Sequence, residues 1–207
     1  MSVITSNEVF DLEPFPPRLL VIGGGYIACE FASIFNGLGA RVTQLYRGAQ
    51  VLRGFDDDIR NFLAAEVKKA GVDLRCNIEV RAIARTPSGL QATLSTGEVL
   101  EADQILYAIG RVPNIKGLGL EQLGVALDAQ GAIIVNDRYQ SSVPSIYALG
   151  DVIDRVQLTP VAIAEAMALV DHLLGSGTRT VSYDFIPTAV FTHPSIGTVG
   201  YTESEAR

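Results

Sequence analysis

The spacing of apolar residues changes several times along the first hundred positions, and each change marks an element. RLLVIGGG (18–25) is a short apolar run meeting a glycine cluster, as expected of a buried strand that ends in a tight turn. Beyond it Ile27, Phe31, Ile34 and Phe35 recur at helical spacing until Asn36, Gly37 and Gly39 interrupt them. VTQLY (42–46) reads as a second strand. DDDIRNFLAAEVKKAG (56–71) reads as a helix, with acids in the first turn, lysines in the last and a glycine stop. This βαβα order predicts parallel strands joined by crossover helices.

Between about 72 and 100 the texture becomes alternating, VDLRCNIEVRAIAR and then LQATLSTGEVLEAD, around the turn PSG at 87–89. Antiparallel strands are expected there, a β-meander inserted into a doubly wound unit. QILYAIG (104–110) returns as a buried strand, and RVPN marks a loop and the first domain edge. After GAIIVNDRYQSS, a strand is predicted over SIYALGD (145–151). TPVAIAEAMALVDHLLG then predicts a helix with Thr159 at the N-cap and Pro160 at the first helical position. YDFIPTAVFTHPSIGTVGYTESEAR has strand texture and closes no unit, so the chain is expected to be a piece of a longer protein.

Composition narrows the class. A chain of 207 residues, 48% hydrophobic and with 20 glycines, can bury one good core or two modest ones. Its longest apolar stretches are broken by glycines or by Glu30 and Glu165, short of the roughly 18 residues a membrane span needs. Residues 1–15 carry Glu8, Asp11 and Glu13 and have no basic start, so no secretory signal is expected and the location is read as cytoplasmic. Two cysteines, Cys29 and Cys76, are too few and too distant for a disulfide framework or a metal site, and both read as buried small apolar residues. A net charge of −7 without a basic run argues against nucleic acid and anionic membrane as partners.

Three local patterns carry chemistry. Gly23, Gly24, Gly25, Tyr26, Ile27 and Ala28 match G-x-G-x-x-G/A between a strand and a helix. Gly23 permits the turn, Gly25 lets backbone approach a pyrophosphate, and Ala28 keeps helix and sheet close. At the end of the second strand, where NAD-binding folds place a carboxylate on the ribose hydroxyls, stand Tyr46 and Arg47, with Arg53 six residues on. Guanidinium forks complement a ribose 2′-phosphate and favour NADPH. The competing reading is that Arg47 and Arg53 are solvated or pair with Asp56–Asp58. Asp151, after a predicted strand, can accept hydrogen bonds from sugar-alcohol hydroxyls. The helix beginning at TPVAIA presents a positive end.

GGGYIACEFA, LYRGAQVLRGFDDDIR, ILYAIGRVPN, IYALGDV, LTPVAIA and IPTAVFTHPSIGTVGYTE, in this order, resemble the glutathione reductase branch of the FAD-dependent pyridine nucleotide-disulfide oxidoreductases, over nearly the whole chain from about Thr5. The resemblance implies an NADPH-binding domain at 1–112, a return segment of the FAD-binding domain at 113–183 and the start of an α+β dimerisation domain at 184–207, within an α/β, Rossmann-like doubly wound fold. It implies two cofactors, NADP(H) and FAD. Gly24, Ile27, Glu30 and Gly110 would line the NADPH cleft, Tyr26 would be a movable lid, and Arg47 and Arg53 would clamp the 2′-phosphate. Asp151 would hold the ribityl chain. Thr159 would open a helix pointing at the isoalloxazine, Gln157 would meet the nicotinamide by its backbone, and the backbone around Ala189 and Val190 would meet the carboxamide. The whole protein would be a homodimeric enzyme reducing glutathione disulfide.

The family's C-x-x-x-x-C pair and its histidine–glutamate acid–base pair are absent from these 207 residues. His193 and His172 are read as structural and helix-surface residues. The chain alone is therefore expected to be inactive. Trypanothione reductase, dihydrolipoamide dehydrogenase and a non-catalytic NADPH-binding module are the alternatives, and Tyr46-Arg47 counts against the second.

Overall fold

The computed structural model describes residues 3–207. It contains β1 (Arg18–Ile22), α1 (Tyr26–Gly37), β2 (Arg41–Tyr46), α2 (Asp57–Lys69) and β3 (Asp73–Cys76). β4 (Val80–Thr86), β5 (Gly89–Leu94), β6 (Val99–Ala102) and β7 (Gln104–Tyr107) follow. β3, β2, β1 and β7 form, in that order, one parallel sheet, while β4, β5 and β6 form an antiparallel meander. The fold is α/β, with the expected insertion. VDLRC departs from expectation: its strand pairs in parallel with β2, Tyr46 opposite Cys76. Its short alternation is shared by an edge strand of a parallel sheet, so texture alone did not separate it from the meander that follows.

The sheet is a middle layer. Leu19, Val21, Val42, Leu74 and Leu106 pack with Ala28, Ala32 and Phe35 of α1 and Leu63 and Val67 of α2. Leu20, Leu45 and Ile105, pointing the other way, pack with Leu90, Ala92 and Leu94 of the meander. Alternate residues of a strand face opposite sides, and with both sides covered the strands read as nearly continuous apolar runs. α2 starts where Asp56 caps the Asp58 N–H at 3.0 Å and carries acids at its first turn and Lys68 and Lys69 at its last.

The chain divides into two compact units, one running through Gly110 and resuming at Phe185–Arg207, the other Arg111–Asp184. In the first, β8 (Thr188–Val190) and β9 (Ile196–Thr198) make a hairpin whose Val190 and Ile196 join the α1 side of the core. A short α4 (Glu203–Ala206) follows, closed by a reciprocal Thr202–Glu205 capping box. The sequence texture predicts strand to the end. The T-x-x-E signature is what stops it.

The second unit holds α3 (Thr159–Leu174) and a 3-10 turn at Gly150–Ile153, packed around Leu120, Val125, Ile133, Tyr139, Ala148 and Ala168. The strand predicted over 145–151 does not form. Tyr147 makes one isolated bridge to Gln140, and the segment instead folds back through Ala148 N–H to Tyr139 O and Ser141 N–H to Ile146 O. A single bridge leaves no ladder for the apolar run to propagate. Thr159 is likewise not the cap of α3. The Leu158 carbonyl accepts from Val161 and Ala162, so Leu158 is the cap and Thr159 the first helical residue.

Candidate cofactor-binding site

The three glycines have three different physical reasons. Gly23 has φ +147°, and a Cβ there would stand 2.2 Å from the Ala108 carbonyl oxygen, so neither the conformation nor the space admits a side chain. The turn is held by Gly23 N–H to Leu45 O at 2.9 Å and by the buried Gln44 amide, which donates to Gly23 O at 3.1 Å. Gly24 faces the Tyr46 ring, which would lie 2.5 Å from an added Cβ. A Cβ on Gly48 would meet the same ring at 2.6 Å. Tyr46 is thus sandwiched between two glycines, the tight packing that backbone without side chains permits.

Gly25 differs from both. It is exposed, and a Cβ built on it meets no atom within 4 Å. Its φ of −79° and ψ of 175° are open to any residue. Among the described residues nothing requires a glycine there, and the space beside it is open to an outside group. Gly25 is also the N-cap of α1 and provides no side-chain acceptor, so the first-turn N–H groups and the positive end of the helix dipole are presented without a cap. Ala28 is fully buried against the sheet. Tyr26, Ile27 and Glu30 occupy the first two turns, all half-buried. Glu30 accepts the Phe191 N–H at 2.9 Å, tying the loop after β8 to α1.

The loop after β2 is tied to this turn, with Leu52 N–H donating to Gly24 O at 2.6 Å. Val51 and Leu52 are each 1% exposed, while Arg47 and Arg53 on either side point out to solvent. Among the described residues neither guanidinium makes a hydrogen bond or ion pair. Two of the nearby acids are engaged elsewhere: Asp57 with Arg60 at 2.6 Å, and Asp56 with the N–H groups of Asp58 and Glu203. Gly110 follows β7, exposed and at φ +149°.

In the second unit Asp151 sits on the 3-10 turn and pairs with Arg111 at 3.1 Å, both side chains a little over two-fifths exposed. Gln157 donates to Asp154 Oδ1 at 2.6 Å, and α3 begins at Thr159 without a side-chain cap. Beneath them Glu165, 1% exposed, accepts from Gly150 N–H at 2.6 Å and from the Tyr183 hydroxyl at 2.7 Å. Burial, with hydrogen bonds to Tyr139 and Glu165, pushes the Tyr183 phenol above its ordinary range. His172, expected on the helix surface, is half-buried, and its Nδ1 is shielded with no hydrogen bond among the described residues.

The two cysteines are both free. Burial pushes the Cys29 thiol up to about 11. Cys76, expected to be buried, is half-exposed because it ends an edge strand. Among the described residues no group of acids, histidines and cysteines is placed to hold a metal, and no helix is long and apolar enough to cross a membrane.

A turn with one glycine open to an outside group, an uncapped helix start and two free guanidiniums fits a phosphorylated dinucleotide. In comparison with known proteins, residues 1–166 match the pyridine nucleotide-disulphide oxidoreductase family. The chain belongs to that family. Glutathione reductase of Burkholderia cepacia is 51% identical over 205 residues, 99% of this chain and 46% of that protein. Trypanothione reductase of Trypanosoma congolense is 43% identical over 207 residues, 98% and 42% of the two chains. The Cu(II) complex of the HOCl-induced flavoprotein disulfide reductase RclA from Escherichia coli superposes with a TM-score of 0.94 at 34% identity, over 100% of this chain and 47% of that one. This pyridine nucleotide-disulphide oxidoreductase chain spans about half the length of the curated relatives it matches.

Sequence alone does not point to several of these residues: in the first unit the Tyr46 ring as a packing element, Leu52, Ala108 and Arg60, and in the second Arg111 and Glu165. Gly48, two positions after Tyr46, was the available sign of a close approach. For Arg60 and Glu165 there was none.

Proposed function

We propose that the chain is the NADPH-binding and flavin-contacting portion of a flavoprotein disulfide reductase, the whole protein catalysing NADPH + H⁺ + glutathione disulfide → NADP⁺ + two glutathione. Residues 1–112 are the NADPH-binding domain, 113–183 a return segment of the FAD-binding domain, and 184–207 the start of the domain through which the whole protein forms a homodimer. The observation that carries the reading is the pair of unengaged guanidiniums, Arg47 and Arg53, beside a strand end that bears tyrosine where a carboxylate would select NAD.

Nicotinamide and flavin, when bound, supply the hydride and two-electron chemistry. The chain's residues bind and orient. Gly25 and the first N–H groups of α1 take the pyrophosphate, Arg47 and Arg53 the 2′-phosphate, and Tyr26, Ile27, Glu30 and Gly110 line the nicotinamide side. Asp151, half-buried beside Arg111, accepts from ribityl hydroxyls. The start of α3 at Thr159, with Gln157 before it, offers N–H groups to the ring system. Glutathione disulfide is preferred over trypanothione as the substrate because identity is higher to the glutathione reductase relative, 51% against 43%.

Calorimetric titration of NADPH and NADH against this chain and its Arg47→Ala, Arg53→Ala variant, at two salt concentrations, tests the reading. Each charge-assisted bond is worth about 1.5–3 kcal/mol before screening, so the double variant is expected to weaken NADPH by roughly 10- to 100-fold and leave NADH little changed. Equal weakening of both nucleotides, or NADPH binding indifferent to salt, would refute it.

A further inference from the structure

The loop between Arg47 and Arg53 is gripped by a third arginine that faces inward. Arg60, in the first turn of α2, has a side chain only 18% exposed. Its Nε donates to Val51 O at 2.8 Å and its Nη2 to Gln50 O at 3.0 Å, while Nη1 bonds Asp57 Oδ1 at 2.6 Å. One planar guanidinium therefore grips two successive carbonyls at the midpoint of the loop that carries both exposed arginines. Asp57 orients it from the opposite edge. Asn61, next along the helix, accepts from the Gln50 side-chain amide. Leu52 N–H, on the following residue, is spent on Gly24.

We infer that Arg60 is a positioning residue for coenzyme choice. It fixes the loop so that Arg47 and Arg53 are presented together to a 2′-phosphate, without itself touching the nucleotide. The inference rests on the proposed NADPH reading. Five N–H donors in a rigid fork suit Arg60 for this, and a lysine, with a single ammonium on a flexible stem, cannot hold two adjacent carbonyls in the same geometry. Without the fork, Gln50 and Val51 lose carbonyl partners, and the loop must be ordered at the moment of binding. That cost falls on the ligand that uses both arginines. NADH, lacking the phosphate, draws on the glycine turn and α1, to which Arg60 is linked only through the Leu52 N–H on Gly24.

The test compares NADPH and NADH dissociation constants, by calorimetry, for the chain, R60A, R60K and the Arg47→Ala, Arg53→Ala variant, with far-ultraviolet circular dichroism on each. R60A is expected to lose about five- to tenfold in NADPH affinity with NADH changed less than about twofold. R60K, which keeps the charge, is expected to recover less than half of that loss. If R60A does not fold, R60K alone decides, since its retained charge separates geometry from electrostatics. Wild-type discrimination in R60K, or equal weakening of both nucleotides in R60A, overturns the inference while leaving the phosphate clamp standing. A wild-type chain that does not prefer NADPH overturns both.

Discussion

The buried carboxylate of Glu165 accepts the backbone N–H of Gly150 at 2.6 Å, one residue before the half-buried Asp151. A side chain in the middle of α3 thereby sets the position of the 3-10 turn from below, and the Tyr183 hydroxyl completes its hydrogen bonding at 2.7 Å. Replacing Glu165 with alanine leaves a buried N–H and a phenol without their acceptor, a loss of about 2–4 kcal/mol. Glutamine, which keeps one carbonyl acceptor, is expected to lose less. Amide hydrogen exchange across 149–152 should accelerate by roughly a hundredfold or more in Glu165→Ala; unchanged exchange there would show that the turn is held by other contacts.

Gly24 and Gly25, adjacent in sequence, are expected to respond oppositely to the same substitution. Gly24→Ala drives a methyl into the Tyr46 ring and should destabilise the chain by about 1–3 kcal/mol. A Tyr46→Ala background should relieve most of that penalty, which a double-mutant cycle by urea denaturation measures. Gly25→Ala meets nothing and should change stability by less than about 1 kcal/mol, yet weaken NADPH by about tenfold or more. A Gly25→Ala chain that binds normally would remove the pyrophosphate from this turn.

Alkaline conditions should destabilise the first unit from about pH 9 upward. The Cys29 thiol is raised by burial to about 11 from an ordinary 9.0. Below pH 9 folded and unfolded chains both keep the proton. Between pH 9 and 11 only the unfolded chain releases it, so unfolding becomes easier by up to about 1.4 kcal/mol per pH unit. Half-exposed Cys76, also raised by burial, adds in the same direction, and Tyr183 does so above pH 10 in the second unit. Urea midpoints from pH 8 to 10.5 should fall less steeply in Cys29→Ala. An identical slope would assign the loss to other groups.

Thiol labelling offers a simpler check on the cysteines. Cys76 is half-exposed and Cys29 buried, so at neutral pH an aromatic disulfide reagent should modify Cys76 first and Cys29 on the timescale of opening. Simultaneous modification would contradict the packing of Cys29 beneath Gln44.

The glycine turn, both crossover helices and the meander were legible because each rests on local chemistry: a glycine cluster, a 3.6-residue period, a turn between alternating runs. Arg47 and Arg53 drew attention because a missing carboxylate at a strand end is itself a signal, and the structure leaves both exposed. What escaped depended on contacts between residues distant in sequence. Whether VDLRC joins β2 or the meander is decided by pairing with Tyr46 and its neighbours, and whether SIYALGD is a strand depends on a ladder that its own residues do not reveal. The Thr159 cap was misjudged by one residue because proline is tolerated at either of the first two helical positions, and only the Leu158 carbonyl discloses which is the cap. The inward guanidinium of Arg60 and the buried carboxylate of Glu165 have no sequence signal because neither is marked by any neighbour in the chain.

The sandwich of Tyr46 between Gly24 and Gly48 makes coenzyme preference a matter of history as much as of charge. A carboxylate introduced at position 46 would forfeit the aromatic ring that both glycines were shaped to receive, leaving a void over the turn. Side chains introduced first at 24 or 48 would collide with the ring still in place. No single replacement among these three positions is comfortable alone, so a conversion to NADH use that passes through them has to change more than one together. A laboratory lineage selected for NADH should therefore change position 46 only together with 24 or 48, or leave all three alone and rewrite the loop from 47 to 53.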